Sequence, residues 1–269
     1  MAMELTDVDE LAEFALAGMA EMLADEADPA FLRRLRAETR AAQARATHRL
    51  GWFDIDIAVG TLRVVHDGNL VHLVTNRPNA FEELVDERLG FEPEQRAAPA
   101  VERAVKRVLA GTERGSAIAY LGELPRFQQS VLRATASIPR GEVRPYNWVA
   151  RQAGSPGAVR AAGTALGHNP VPFIVPCHRV VRSDWSLGQY SSGGPEVKDR
   201  ILRWEGAEID LLGSLPPEAR FIGDRRELSF CLPACAGVLH NPPEQLVYFH
   251  DADEAQAAGY HACDWCLPV

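Results

Sequence analysis

Three prolines fall within the seven residues 170–176, in the run Asn169-Pro170-Val171-Pro172-Phe173-Ile174-Val175-Pro176. A proline lacks the amide proton and disfavours helical geometry in the residue before it, so this stretch cannot be the interior of a helix. It is expected to hold a rigid, extended path and to present the next four residues, Cys177-His178-Arg179-Val180. A lone cysteine is as readily a small buried hydrophobe as a reactive group. It becomes a nucleophile only as thiolate, which needs a nearby histidine, a cation or a helix N-terminus. His178 and Arg179 come directly after it and make the neighbourhood electropositive.

The other four cysteines all lie in the last 39 residues, as Cys231-x3-Cys235 and Cys263-x2-Cys266 with 27 residues between the pairs. Two close cysteine pairs suit tetrahedral zinc, and a segment of about 50 residues with few core aliphatics needs such a staple. Nothing in the chain calls for an organic cofactor. The length of 269 residues and 46% hydrophobic content give ample core for several small domains. No apolar run approaches the roughly 20 residues of a membrane span. The first twenty residues carry Asp7, Asp9, Glu10 and Glu13 and lack the basic start of a signal peptide. The expectation is a cytoplasmic protein with reduced thiols, without membrane contact, in which five cysteines serve metal and nucleophile roles rather than disulfides.

A formal net charge of −9 looks wrong for a partner of nucleic acid until it is divided along the chain. Residues 125–205 hold 11 Arg or Lys against 5 Asp or Glu, a balance of +6, whereas 1–124 stand at −8 and 206–269 at −7. Positive charge is concentrated around Cys177, as phosphate contacts require.

Periodicity predicts amphipathic helices over 5–26 and 29–49, then a change to alternating strands over Trp52–Val74, with a hairpin turn at Asp67-Gly68-Asn69. Helices over 79–90 and 98–110 complete a small α+β unit. Next come a helix at Arg126–Ser137, a second at Tyr146–Ala153 ending at Gly154, and a third with Ser155 as N-cap and Pro156 in its first turn, closing at Gly167. The last two, joined by a tight glycine turn, read as a helix-turn-helix, or as a helical hairpin in a core. Ala158, Ala161, Ala162, Gly163 and Ala165 make the third helix thin, with Arg160 its one long side chain before His168.

The residues from Pro125 to Glu205 resemble the O6-alkylguanine-DNA alkyltransferases. The likeness rests on Pro176-Cys177-His178-Arg179-Val180 together with Phe127-Gln128-Gln129, Ile138-Pro139-Arg140-Gly141-Glu142, Tyr146, Ala158 to Gly163, Gly167-His168-Asn169-Pro170 and Gly188-Gln189-Tyr190, all in family order and spacing. The resemblance implies an α+β chain with a buttress domain at 50–124 and a DNA-binding, alkyl-accepting domain at 125–206; the N-terminal helical extension at 1–49 has no counterpart in it. It implies a monomer acting on double-stranded DNA that carries O6-alkylguanine. Cys177 would accept the alkyl group, His178 would act as base through a water, Glu205 would orient His178, and Asn169 would brace the turn before the acceptor. Arg160 and Tyr146, with Ala158, Ala161 and Gly163, would enter the minor groove and turn the base out, a step that costs a few kcal/mol. The base would rest against Pro172, Val180, Tyr190 and Ser191. A thioether on Cys177 has no route back, which implies one turnover per chain.

Residues 220–269 resemble the zinc domain of the Ada-type adaptive-response methyltransferase, through Phe230-Cys231-Leu232-Pro233-Ala234-Cys235, Val247-Tyr248-Phe249 and Cys263-Asp264-Trp265-Cys266. The resemblance implies Cys231, Cys235, Cys263 and Cys266 as zinc ligands, with Cys231 in the place of the family's phosphotriester acceptor. Where that family carries arginines this chain has Leu232, Gly237, Val238 and His261, so zinc binding is expected and phosphotriester repair is not. Residues 207–219, with Gly213 and Pro216-Pro217, are expected to be a linker. Readings of a different class are a non-catalytic lesion-binding protein and a zinc-dependent regulator; Cys177, His178 and Glu205 present together favour the enzyme.

Overall fold

The computed structural model describes residues 50–89 and 93–266. The helices expected over 5–26 and 29–49 lie outside the described residues. The chain divides into two compact units, residues 1–49 with 82–92 and residues 50–81 with 93–269.

In the larger unit, strands β1 (Gly51–Ile57), β2 (Gly60–His66) and β3 (Val71–Thr75) form an antiparallel meander. Phe53 and Ile55 of β1 are buried while Asp54 and Asp56 face out, and Phe53 pairs with Val64, Ile55 with Leu62. That alternation is the period of a half-buried strand. The β2–β3 turn is held by Asp67, whose Oδ1 accepts the N–H groups of Asn69 and Leu70 at 2.8 Å each.

The smaller unit contributes most of helix α1 (Phe81–Leu89), with Glu82 and Glu83 in its first turn and Arg88 in its last, the charge order that suits the helix dipole. Strand β4 (Glu94–Gln95) then returns parallel to β1, completing the sheet order β3-β2-β1-β4. Helix α2 (Pro99–Leu109) buries Val101, Ala104, Val105, Val108 and Leu109, the apolar stripe of a 3.6-residue period.

Helices α3 (Arg126–Ala136), α4 (Tyr146–Gln152) and α5 (Val159–Gly167) pack on one another through Val131, Leu132, Val149, Ala150, Ala162 and Leu166. Strand β5 (Arg144–Pro145) leads directly into α4 and pairs parallel with β6 (Val180–Val181). Gly154, at φ +77°, makes the turn after α4 that a side chain would resist. The third helix departs from expectation at its start: Ser155 does not cap it. Ser155 instead opens a turn closed by Ala158 N–H to its carbonyl, and α5 begins at Val159 with Ala158 as N-cap. The turn spends three residues that the Ser-Pro signal would have put in the helix.

Helix α6 (Gly194–Glu205) ends on Gly206 in the left-handed conformation. Within 207–219 lies a further helix, α7 (Ile209–Ser214), with Leu212 buried and Arg203 of α6 bonded to Asp210 at 2.7 Å. The C-terminal sheet, order β10-β8-β7-β9, comprises β7 (Phe221–Asp224), β8 (Ser229–Cys231), β9 (Leu246–Phe249) and β10 (His261–Ala262), with short helices α8 (Ala236–Leu239) and α9 (Ala252–Ala257) between strands. Phe230, Phe249 and Ala255 form its own small core, while Cys231, Leu232, Cys235 and Cys266 belong to the same continuous core as Cys177 and Val180. The acceptor and zinc segments, with residues 50–81 and 93–124, cluster in the larger unit.

Candidate active site and metal centre

The proline-rich run is not extended. Val175 N–H reaches back to Val171 C=O at 2.9 Å, and Phe173 takes a left-handed backbone at φ +72°. A bulky residue in that region is strained by about 1–3 kcal/mol and persists only where its surroundings over-determine it. Here they do: the Phe173 ring is buried against His178 at 5.7 Å. Asn169 holds the loop at both ends. Its Oδ1 accepts Val171 N–H at 3.1 Å, and its Nδ2 donates to Val175 C=O at 2.8 Å and to Cys177 Sγ at 3.2 Å. From the β-sheet side Val74 N–H bonds Pro170 C=O at 3.0 Å, and Gly115 lies so close that a Cβ there would sit 1.7 Å from the Ile174 carbonyl oxygen.

Cys177 opens the 3-10 turn Cys177–Arg179 and is buried. Burial pushes its thiol pKa up, only partly offset by the Asn169 hydrogen bond and the positive charge of Lys198. The resting group is therefore a thiol, and a base must remove its proton. His178 is fully buried, and burial lowers its pKa against the pull of Glu205, so its ring is neutral near pH 7. Nε2 lies 3.1 Å from Glu205 Oε1, short of a well-directed hydrogen bond, and Nδ1 has no hydrogen-bond partner among the described residues.

Arg179 does not face the thiol as the sequence suggested. It turns to Glu205, Nε to Oε2 at 2.7 Å and a terminal nitrogen to Oε1 at 2.8 Å, and its other terminal nitrogen donates to Ile138 C=O at 2.6 Å. Burial alone would raise the Glu205 pKa, but the His178 ring, wherever it is protonated, and the Arg179 hydrogen bonds outweigh it and hold the carboxyl far below the usual range.

The cation beside Cys177 is Lys198, which sequence reading missed. It is fully buried on α6, with Nζ donating to Val180 C=O at 2.6 Å and Leu187 C=O at 2.5 Å. The signal was present: Lys198 and Glu205 stand seven residues apart on the face of α6 that also buries Ile201 and Leu202. Burial lowers the Lys198 pKa to about 8 from an ordinary 10.5, the Cys177 charge acting the other way. Between those values the unfolded chain holds a proton that the folded chain has released, so stability should rise with pH across that window; below it the cost of burying the charge is present in full. Lys198→Met should remove a rise of about 3 kcal/mol, read as the parent-minus-variant difference in urea unfolding between pH 8 and 10.5.

Tyr146 of α4 and Tyr190 of the loop before α6 both lie close enough to Cys177 to feel its charge, and burial raises both hydroxyl pKa values. Tyr190 is buried edge-on to His178 at 6.2 Å, and Pro172 and Val180 are buried while Ser191 is exposed. Tyr146 also reaches α5, its ring 3.8 Å from where a Gly163 Cβ would lie. On α5, Arg160 and Ala161 are exposed, Ala158 and Gly163 partly so.

In the C-terminal segment Cys231, Cys235, Cys263 and Cys266 bring their Sγ atoms within 4.8 Å of one another. Four sulfurs about 2.3 Å from a tetrahedral zinc stand about 3.8 Å apart, so the set fits that ion. Leu232 N–H donates to Cys266 Sγ at 3.3 Å and Gly237 N–H to Cys235 Sγ at 3.4 Å, contacts that favour thiolates. Four thiols so close repel one another once ionised unless a cation sits among them, and an all-sulfur donor set selects zinc over harder ions. Cys231 is buried at 2% exposure, while Cys263 is partly exposed.

Comparison with known proteins agrees with this division. The family described as 6-O-methylguanine DNA methyltransferase, DNA binding domain, matches residues 126–207, and the metal binding domain of Ada matches residues 219–269. A methylated-DNA–protein-cysteine methyltransferase from Methanosarcina acetivorans is 38% identical over 105 residues, 39% of this chain and 67% of that protein. One of the same description from Methanothermobacter thermautotrophicus is 44% identical over 89 residues, 33% of this chain and 49% of that protein. The chain spans about half the length of the curated relatives it matches first. The crystal structure of the Mycobacterium tuberculosis O6-methylguanine methyltransferase is 32% identical, with 58% of this chain and 93% of that one covered and a TM-score of 0.49. The chain belongs to the methylated-DNA–protein-cysteine methyltransferase family.

Proposed function

We propose that this protein repairs DNA by moving an alkyl group from O6 of guanine onto Cys177, once per chain. The observation that carries the reading is the placement of Cys177 Sγ, 3.2 Å from Asn169 Nδ2, beside a buried neutral His178 paired with an ionised Glu205. His178 takes the thiol proton through a water at its free Nδ1, and Glu205 steadies the charge that forms. Sulfur attacks the alkyl carbon, the carbon–O6 bond breaks with its electron pair going to the base, and guanine regains a proton on its ring. Lys198 stabilises the transient thiolate, and the hydroxyls of Tyr146 and Tyr190, both held protonated, are available to the base. Asn169 positions the acceptor loop.

The base must leave the duplex to reach a buried thiol. Helix α5 is suited to a narrow groove because its outward residues are small, with Ala158, Ala161 and Gly163 around the exposed Arg160 that fills the vacated stack. Tyr146, packed on Gly163, presses the phosphate as the nucleotide turns. Pro172, Val180, Tyr190 and Ser191 line the place of the base. A cytoplasmic location belongs to the same proposal, supported by five cysteines none of which is in a disulfide. Among the described residues no helix is long and apolar enough to cross a membrane.

The zinc is structural in this reading. Cys231 is packed in the core and the arginines of the Ada-type acceptor are replaced, so it is not offered as a phosphotriester acceptor.

Intact-mass spectrometry after incubation with a duplex carrying O6-methylguanine tests the proposal. One methyl group per chain, mapped to Cys177 and absent in Cys177→Ser, is the expected result. Repeated turnover without an adduct, or no transfer, overturns it.

A further inference from the structure

We infer that the four-cysteine zinc site braces the alkyl-acceptor site, through Glu142, Arg144 and Trp148 of the acceptor segment. Strand β5 sits between the two centres. Arg144 pairs with Val180, the residue after the Cys177–Arg179 turn, and Pro145 leads straight into Tyr146. From the other side the strand is held by the zinc ligands' own backbone and neighbours. Trp148 Nε1–H donates to Cys266 C=O at 2.8 Å in a buried contact. Trp265, between Cys263 and Cys266, is 66% exposed, yet its Nε1–H donates to Glu142 Oε1 at 3.1 Å. The other oxygen of Glu142 accepts from Arg144 at 2.5 Å.

Arg144 is 1% exposed, and its Nε has no hydrogen-bond partner among the described residues. Its Nη1 donates to Val143 C=O at 2.9 Å. Its guanidinium also stands 5.6 Å from the centre of the Trp148 ring, so Arg144 ties Glu142 and Trp148, the two residues that bond the zinc segment, into one group. The knuckle Asp264–Trp265, Arg144, Trp148, Pro176 and Arg179 wall one cavity of about 650 Å³, which includes none of Cys177, Tyr146 and Tyr190. Cys231, Cys235 and Cys266 share one continuous core with Cys177 and Val180. Loss of the metal lets the four ligand residues separate, and the bonds from Trp148 to Cys266 C=O and from Trp265 to Glu142 are lost with them. The strand that carries Tyr146 and abuts the acceptor turn then loosens.

The experiment uses the full chain, with zinc release to a chromogenic chelator and hydrogen–deuterium exchange as its main readouts. Only its activity arm rests on the function proposed above. Chelation of zinc should raise exchange in residues 142–149 and 177–181 at least tenfold and slow single-turnover methyl transfer at least tenfold. Trp148→Phe, which keeps a ring but loses the donor to Cys266, should release zinc several-fold faster than the parent, and Arg144→Gln faster still. Should Arg144→Gln fail to fold, Trp148→Phe and the chelation series decide the matter. Exchange confined to residues 219–266 on zinc removal, or unchanged zinc release in Trp148→Phe, overturns the inference. A protein that transfers no methyl group but shows the coupled exchange keeps the brace and loses the proposed activity.

Discussion

Glu205→Gln should slow the proposed methyl transfer to Cys177 by about a hundredfold to ten-thousandfold, the range lost when the base, here His178, is no longer held for its task. It should also destabilise the fold by about 3–5 kcal/mol, the usual cost of removing one partner of a buried ion pair. Both effects come from one carboxylate with two partners: the bidentate Arg179 at 2.7 and 2.8 Å, and the His178 ring at 3.1 Å. An amide has only one acceptor oxygen, so the variant leaves Arg179 or His178 facing an N–H group inside the core. His178→Gln separates the two effects, because it keeps the Arg179–Glu205 pair and should cost rate with far less stability. Single-turnover rates and urea unfolding on both variants make the comparison. A Glu205→Gln protein with the parent's rate would sink the assigned role. The stabilisation by Glu205 should be present in full above its ordinary pKa of 4.5 and fade as pH falls below it, because the folded carboxyl stays ionised where the unfolded one takes up a proton.

Gly115→Ala is the other large effect expected. A methyl group there would stand 1.7 Å from the carbonyl oxygen and 2.6 Å from the carbonyl carbon of Ile174. Those are backbone atoms and no rotamer change clears them, so one of the two segments must move. Overpacking of this kind costs about 3 kcal/mol or more. The segment that moves is the loop whose Val175 carbonyl accepts from Asn169, and Asn169 also holds Cys177 Sγ. A displacement of about 1 Å at a reacting group can cost a hundredfold in rate. Gly157→Ala is the control, with nothing within 4 Å of its new methyl group, and should leave the unfolding midpoint nearly unchanged. Equal stability of the Gly115 and Gly157 variants would show that the contact between the β-sheet segment and the acceptor loop is slack.

Much of the site was legible in sequence because its signals are local. Cys177 and His178 are adjacent and the cysteine pairs have metal spacing, whereas Glu205 came only from the family resemblance. The proline run correctly excluded helix but misled about shape. Its path turns back at Phe173 because Asn169, Val74 and Gly115 hold it from outside, and none of those contacts is encoded within the run. Arg179 was misread for a related reason. Adjacency in sequence puts a charge near a thiol, but side-chain direction is set by the nearest buried carboxylate, and Glu205 takes both Arg179 and His178.

Sequence alone determined which residues are available for the chemistry: one thiol beside a histidine, a thin helix with a single arginine, and four thiols in two close pairs. Tertiary structure decided their electrostatic roles and their connection. It put Lys198 rather than Arg179 beside Cys177, because a helix delivers to the core whatever lies on its buried face, seven residues from Glu205. It also joined the zinc segment to the residues on either side of strand β5, Trp148 to Cys266 and Trp265 to Glu142, contacts spanning 118 and 123 residues. Separations of that size leave no periodicity or motif to read, since they are set by which apolar faces close on one another once the chain is compact.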